Sequence, residues 1–412
     1  MSSNDKRTSA TWHLWSLDPV VTELQLCPAV RAAEMAELMI PKQIGFLDFN
    51  TGSAARRFQK SYNLFGSQRL DSPLLQRSDP PLPLTARSLK FLLQEKQSLS
   101  DGAQFYPPLI GDSRTAKQDL IKHLGTCHYR TYASTLTFLS SAMDPHIKPY
   151  IGTRKLNSTS SQGSVAIMTS IMHCGALIPL ETSALPSTSE IHLLSGIRIY
   201  LIYPPMPNNM VLLQAYCQGV GKGVDHAKIC SVMQEGITIL QKPGQVVTIP
   251  PHCPAVIFAV ETNAAVTLRN NCKGELPQRL EYLDLLVSQI AAVQRVMGHP
   301  EATDGVIEYK IMQFYKDLSA FLGAVEDVLA DEKLILALGR AWKRNGAKFR
   351  KVLEQHMSEG VTERIVANVP KWWRKAVTVR NLKECPVCEE GIGDDADMFL
   401  KHFWCEHWAR FD

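Results

Sequence analysis

At Pro277 the apolar pattern of this 412-residue chain changes period, and that change constrains the fold more than any other feature. Before it, from about residue 150, apolar runs of five to eight residues are separated by Gly, Pro and Asn. They are VAIMTSIM (165–172), EIHLLSG (190–196), IRIYLIYPP (197–205), MVLLQAYCQG (210–219), GITILQK (236–242), QVVTIPP (245–251), AVIFAVET (255–262) and AAVTLRN (264–270). Short segments rich in Ile, Val and Tyr at regular spacing predict strands of a β-sandwich or barrel. After Pro277 the apolar residues recur three and four apart. YLDLLVSQIAAVQRVMG (282–298), VIEYKIMQFYKDLSAFLGAVEDVLA (306–330) and EKLILALGRAWKRNGAKFRKVLEQHM (332–357) predict helices with one buried face.

Upstream of residue 150 the signals are mixed. AVRAAEMAELMI (29–40), LTARSLKFLLQEK (84–96) and SRTAKQDLIKHLG (113–125) read as helices, and residues 66–90 read as a polar, Pro-rich connector with little structure of its own. The resulting expectation is an α+β protein in four parts. Residues 1–150 are mostly helical or irregular, 151–275 a β-domain, 278–383 a helical domain, and 384–412 a small metal-binding module. With 45% hydrophobic residues the chain can bury a substantial core. It has neither a secretory signal pattern nor an apolar run of the length a membrane span needs. Its ten cysteines have no framework spacing, so the expected setting is nuclear or cytoplasmic, not secreted, with reduced thiols.

The C-terminal stretch ECPVCEEGIGDDADMFLKHFWCEHW carries the sharpest chemical signal. Cys385 and Cys388 form a C-x2-C pair, followed by His402 and His407. This resembles the two-Cys two-His zinc finger, in which two thiolates and two imidazoles close a tetrahedral site around a structural Zn2+. Cys405 is the alternative fourth ligand, since His402 and Cys405 share a helix face at i and i+3. Phe399 would pack beneath the module. The loop is acidic, with Glu389, Glu390, Asp394, Asp395 and Asp397, which disfavours phosphate contact.

Residues 340–383 hold twelve Lys or Arg against three Glu, with Trp342, Trp372 and Trp373 interleaved. Two readings stand. Lys343, Arg344, Arg350, Lys351, Lys371, Arg374 and Lys375 contact nucleic acid or another acidic partner. Alternatively they are the solvated face of amphipathic helices whose tryptophans are core.

Within the β-domain, EIHLLSGIRIYLIYPP and PGQVVTIPPHCPAVIFAVET together resemble a Jumonji C (JmjC) domain. The resemblance implies a double-stranded β-helix, the cupin or jelly-roll fold. JmjC proteins are typically Fe(II)/2-oxoglutarate oxygenases that hold iron by a His-x-Asp/Glu pair and a distant His. Aligned residue by residue, those positions fall on Glu181, Ser183 and Ala255, so the imidazoles are replaced. Arg198 takes the position of a basic residue that binds the oxoacid carboxylate. His173, His192 and His252 lie in or beside the β-domain and are the histidines from which an unusual iron site would have to be rebuilt. Bound Fe(II) and 2-oxoglutarate are therefore not expected. The leading expectation is a non-catalytic JmjC-like protein that binds a protein partner, in a chromatin setting by resemblance. The alternatives are an oxygenase with non-standard ligands and a zinc-dependent nucleic-acid-binding protein.

Overall fold

In a computed structural model the chain forms two compact units, one ending at Asn270 and one built mainly from Asn271–Asp412. The structure describes Cys27 and residues 45–47, 52–65, 74–77, 104–106, 135–139, 165–181, 187–219, 226–271, 273–296, 303–323, 332–392 and 396–408. The helices expected at 29–40, 84–96 and 113–125 lie outside the described residues.

The first unit holds two sheets. Its strands are β1 (Gly45–Leu47), β2 (Leu75–Arg77), β3 (Gln104–Tyr106), β4 (Thr135–Leu139), β5 (Val165–Met172), β6 (Leu177–Glu181), β7 (Ser187–Ser195), β8 (Arg198–Ile202), β9 (Ile237–Gln241), β10 (Gln245–Ile249), β11 (Ala255–Ala259) and β12 (Asn263–Asn271). One sheet runs β1-β9-β8-β11-β6 and the other β2-β10-β7-β12-β5-β4-β3. β1 runs parallel to β9, while β2–β10, β10–β7, β12–β5, β5–β4, β4–β3, β9–β8, β8–β11 and β11–β6 are antiparallel pairs. Tyr200, Ile202, Ile237 and Ile239 of the first sheet share one buried cluster with Ile191, Leu193, Val247 and Ala265 of the second. Two sheets that bury a common apolar face cover each other, and that shared core is the unit's main source of stability.

Several polar side chains inside this core are paired, because a buried unpaired group is costly. The wholly buried Gln241 accepts from the Tyr200 hydroxyl at 2.7 Å and donates to the carbonyls of Ile191 and Gln245. Gly196 makes the β7–β8 turn at φ +69°, and a Cβ there would stand 2.5 Å from the Thr262 carbonyl oxygen, so only glycine fits.

Two expectations are corrected here. The run 210–219 is not a strand but part of helix α2 (Pro207–Gly219). Pro207 stands at its first position, and Met210, Leu213 and Tyr216 are buried at a spacing of three while Val211 is exposed. Four consecutive apolar residues masked that period. The connector at 66–90 contains β2, the edge strand of its sheet, which pairs with β10. Leu74 and Leu75 are buried there, and Thr248 donates its N–H to the Leu74 carbonyl. Helices α1 (Gly52–Phe65) and α3 (His226–Val232) complete the described part of the unit, and Phe58 and Tyr62 of α1 join the shared core.

The second unit is helical: α4 (Leu276–Glu281), α5 (Leu283–Val296), α6 (Thr303–Gly323), α7 (Glu332–His356), α8 (Glu359–Val379) and α9 (Ala396–Phe403). One core joins these helices to the segment after 383. Ile311, Phe314, Trp342, Phe349 and Trp373 of the helices pack in the same cluster as Cys385, Val387, Ile392, Phe399, Phe403 and Trp408. Among the described residues, no helix is long and apolar enough to cross a membrane.

Candidate metal centre

Cys385 and Cys388 sit in a short knuckle. Glu384 and Gly391 form an antiparallel bridge, the Cys385 N–H donates to the Glu390 carbonyl, and the Glu389 N–H donates to the Cys385 carbonyl. Glu389 takes the left-handed conformation, φ +68°, that closes so tight a loop. The knuckle seats directly on α7. A Cβ at Gly339 would come 1.8 Å from the Pro386 carbonyl oxygen, so the approach requires a residue without a side chain.

His402 and His407 are five residues apart, which on an α-helix sets side chains about 140° apart. The chain solves this by continuing α9 into a π-helical turn, Trp404–Trp408, whose wider winding swings His407 onto the His402 side. Their rings stand 5.0 Å apart, and their Nε2 atoms 3.2 Å.

Trp408 anchors that turn. Its indole Nε1–H donates to the Val366 carbonyl at 2.9 Å. That carbonyl lies four residues before Pro370, which sits inside α8 and has no N–H to give it. The proline thus frees an acceptor on the helix, and the last turn of the module takes it. Arg350 also donates to the Trp408 carbonyl and lies over its ring at 5.9 Å. Trp342, Trp373 and Phe403 surround the same spot.

The result is a cluster. Cys385 Sγ is 3.4 Å from His407 Nε2, Cys388 Sγ is 3.2 Å from His402 Nε2, and all four ligand atoms lie within 4.8 Å of one another. Such a set can hold a metal ion. Burial pushes the Cys385 thiol up to about 12, offset in part by backbone hydrogen bonds from Cys388 and Val387. Burial, then His402, pushes His407 down to about 4, which keeps its imidazole neutral and its lone pair available. Glu390 faces the other nitrogen of His402, Nδ1, at 3.8 Å, on the outer side of the cluster. Cys405 is exposed and stands outside the cluster. A cleft of about 310 Å³ opens beside it, lined by Lys343, Cys388, Glu390, His402, Glu406 and His407 among others.

The basic residues separate into two groups. Arg344 pairs with Glu281, Arg350 with Glu354 and Arg374 with Asp397, all within the unit. Lys343, Lys351, Lys371 and Lys375 are exposed. Trp342 and Trp373 are wholly buried, so neither can stack on a base, and Trp372 is half-buried against Tyr315. The interleaving of aromatic and basic residues is the inner and outer face of the same helices.

In the sheet unit, strand register sets Ala255 opposite Glu181, on β11 and β6. Ala255 is buried and packs in the apolar core. Ser183 lies outside the described residues. Arg198 is buried at the start of β8, where it donates to the Asn263 side-chain oxygen and to the hydroxyl and carbonyl oxygens of Ser170. Burial lowers its pKa, offset in part by Tyr200. His173 lies at the end of β5, His192 within β7, and His252 in the β10–β11 turn at φ +60°. The signals that sequence reading missed are Gly339, Pro370 and Trp408, which seat the module rather than ligate.

No protein family matches this chain, and no curated protein matches it. Among solved structures, it is weakly similar to a conserved protein of unknown function from Streptococcus pyogenes, at 17% identity and a TM-score of 0.17. That similarity covers 26% of this chain, which spans 64% of the other protein's length.

Proposed function

We propose that this chain is a non-catalytic protein-binding scaffold, a JmjC-like double-stranded β-helix joined to a helical unit that a structural zinc ion holds together. The observation that carries the absence of catalysis is Ala255. It stands opposite Glu181 where the JmjC pattern calls for an imidazole, and it offers a methyl group packed among apolar neighbours. An alanine has no lone pair, and one carboxylate is a weak ligand set for Fe(II).

Strand order supports the jelly-roll reading. From β5 to β12 the strands alternate between sheets except at β8 to β9: β5, β7, β10 and β12 lie in one, β6, β8, β9 and β11 in the other. Consecutive strands that change sheets wind the chain as a double helix of strands. The β5-to-β12 block is also the part of the chain that contains both JmjC-like sequence blocks.

Donor chemistry and spacing support zinc. Tetrahedral bonds of about 2.3 Å to sulfur and about 2.05 Å to nitrogen give N···N edges near 3.3 Å and S···N edges near 3.5 Å. The cluster's own edges are 3.2 Å between imidazoles and 3.2 and 3.4 Å between sulfur and nitrogen. Four protein ligands close the coordination sphere, which is the arrangement of a structural site rather than a catalytic one. The partner is a protein in a nuclear, chromatin-associated setting, and the exposed Lys343, Lys351, Lys371 and Lys375 offer a face for an acidic surface.

The test is turnover. Purified chain is supplied anaerobically with Fe(II) and 2-oxoglutarate, then with oxygen, and succinate is measured. Succinate no higher than in the protein-free control is expected. Succinate formation that falls on Glu181→Ala would overturn the reading.

A further inference from the structure

Cys27 and Cys174 are 147 positions apart in sequence, yet their sulfurs stand 3.8 Å apart. Both thiols donate to one acceptor, the Val260 carbonyl, Cys174 at 2.9 Å and Cys27 at 3.3 Å. Cys174 is held in the turn between β5 and β6. Its N–H donates to the Thr262 hydroxyl at 3.1 Å, the Ala176 N–H closes the turn on the His173 carbonyl, and Gly175 provides φ +77°. That turn is in turn bonded to β11, because Gly175 donates to the Ala259 carbonyl. A sulfur on a fixed turn beside a second sulfur at van der Waals separation needs only a small movement of each side chain to reach bonding distance. The two also differ in access: Cys27 is buried and Cys174 is half-exposed.

We propose that Cys27 and Cys174 are a reversible disulfide pair, a redox modification site that fastens the N-terminal segment at Cys27 to the β5–β6 turn. The co-reactant is a small disulfide of the glutathione type. Cys174, the more accessible, loses its proton, and its thiolate attacks one glutathione sulfur. A mixed disulfide forms and one glutathione thiolate leaves, to be protonated by solvent. The Cys27 thiolate then attacks the Cys174 sulfur, which forms the Cys27–Cys174 bond and expels the second glutathione thiolate. Two electrons pass from the protein thiols to glutathione disulfide, and both protein protons end on glutathione. The bond cross-links a long span of chain, so oxidation restricts the unfolded state far more than a local bridge would.

The full chain is equilibrated in glutathione buffers from reducing to oxidising, quenched with N-ethylmaleimide and digested with trypsin. Cys27 is the only cysteine in residues 8–31 and Cys174 the only one in residues 156–198, so their linked peptide is unambiguous. The expected result is that this peptide, lighter by two hydrogens than its parts, appears with rising oxidant, vanishes with dithiothreitol, and accompanies a higher melting temperature. In Cys27→Ser the mixed glutathione adduct should accumulate on Cys174. The proposal is overturned if the folded wild-type chain yields both peptides alkylated, or Cys174 stopped at the glutathione adduct, under the most oxidising buffer.

Discussion

The two units hold polar atoms in their interiors by opposite means. In the sheet unit two buried polar groups are satisfied by their neighbours: Arg198 by Asn263 and Ser170, Gln241 by Tyr200 and two backbone carbonyls. In the helical unit two imidazoles and two thiols converge with nothing between them but one another. Side chains that bond in pairs are complete without a ligand. Four donor atoms gathered within one small radius can be satisfied together by a cation. The same contrast separates the two candidate metal positions, Ala255 in an apolar core and Cys385 in a donor cluster.

The largest expected effect follows from that contrast. Chelating the metal, or Cys385→Ala, should unfold the region around the knuckle, because the ligand atoms and the aromatic core of Trp342, Phe403 and Trp408 belong to one cluster. Hydrogen exchange resolved by peptide should show protection lost across 332–408 and kept across 187–271. Equal loss in both would break the comparison.

Next is Ala255→His, which tests the sheet side. An imidazole forced into a packed apolar site should cost about 1–3 kcal/mol by overpacking alone, read as a lower denaturant midpoint. A neutral or stabilising result would mean the core tolerates a ligand there. Trp408→Phe tests the seat of the module. It leaves the Val366 carbonyl with neither the indole nor, because of Pro370, a helix N–H, a loss of about 1–3 kcal/mol.

Acid should act on the helical unit. His407 has a folded pKa of about 4, below its ordinary 6.5, so the unfolded chain takes up its proton first. That contribution is present above about pH 6.5 and is lost as pH falls toward 4, and equilibrium unfolding of the metal-loaded chain from pH 7 to 4 measures the loss. Smallest is Lys371→Gln with Lys375→Gln, expected within about 0.5 kcal/mol of wild type in stability, since both lysines are exposed.

What the sequence disclosed follows the range of the interactions. The four residues of the Cys/His cluster were readable because C-x2-C and two later histidines are local signals, and seven of the eight apolar runs after residue 150 became strands. What was not readable depends on partners distant in sequence. The 210–219 run became a helix because Pro207 starts it and its buried positions recur at every third residue, a period hidden by Val211 and Leu212. Leu75–Arg77 form a strand only because β10 offers its free side. Nothing local marks Pro370 as tolerable inside α8, because an interior proline removes a helix hydrogen bond. Its cost is offset when Trp408, 42 positions away by Val366, takes the freed carbonyl. Nor does the spacing of His402 and His407 announce the π-turn that lets them meet.

Metal bound by this chain is expected in the helical unit and not in the sheets. Elemental mass spectrometry of the purified full chain, beside Cys385→Ala/Cys388→Ala, tests it most directly. About one zinc per chain, lost in the double variant, is the expected result. Iron at a similar level that survives the double variant would contradict it.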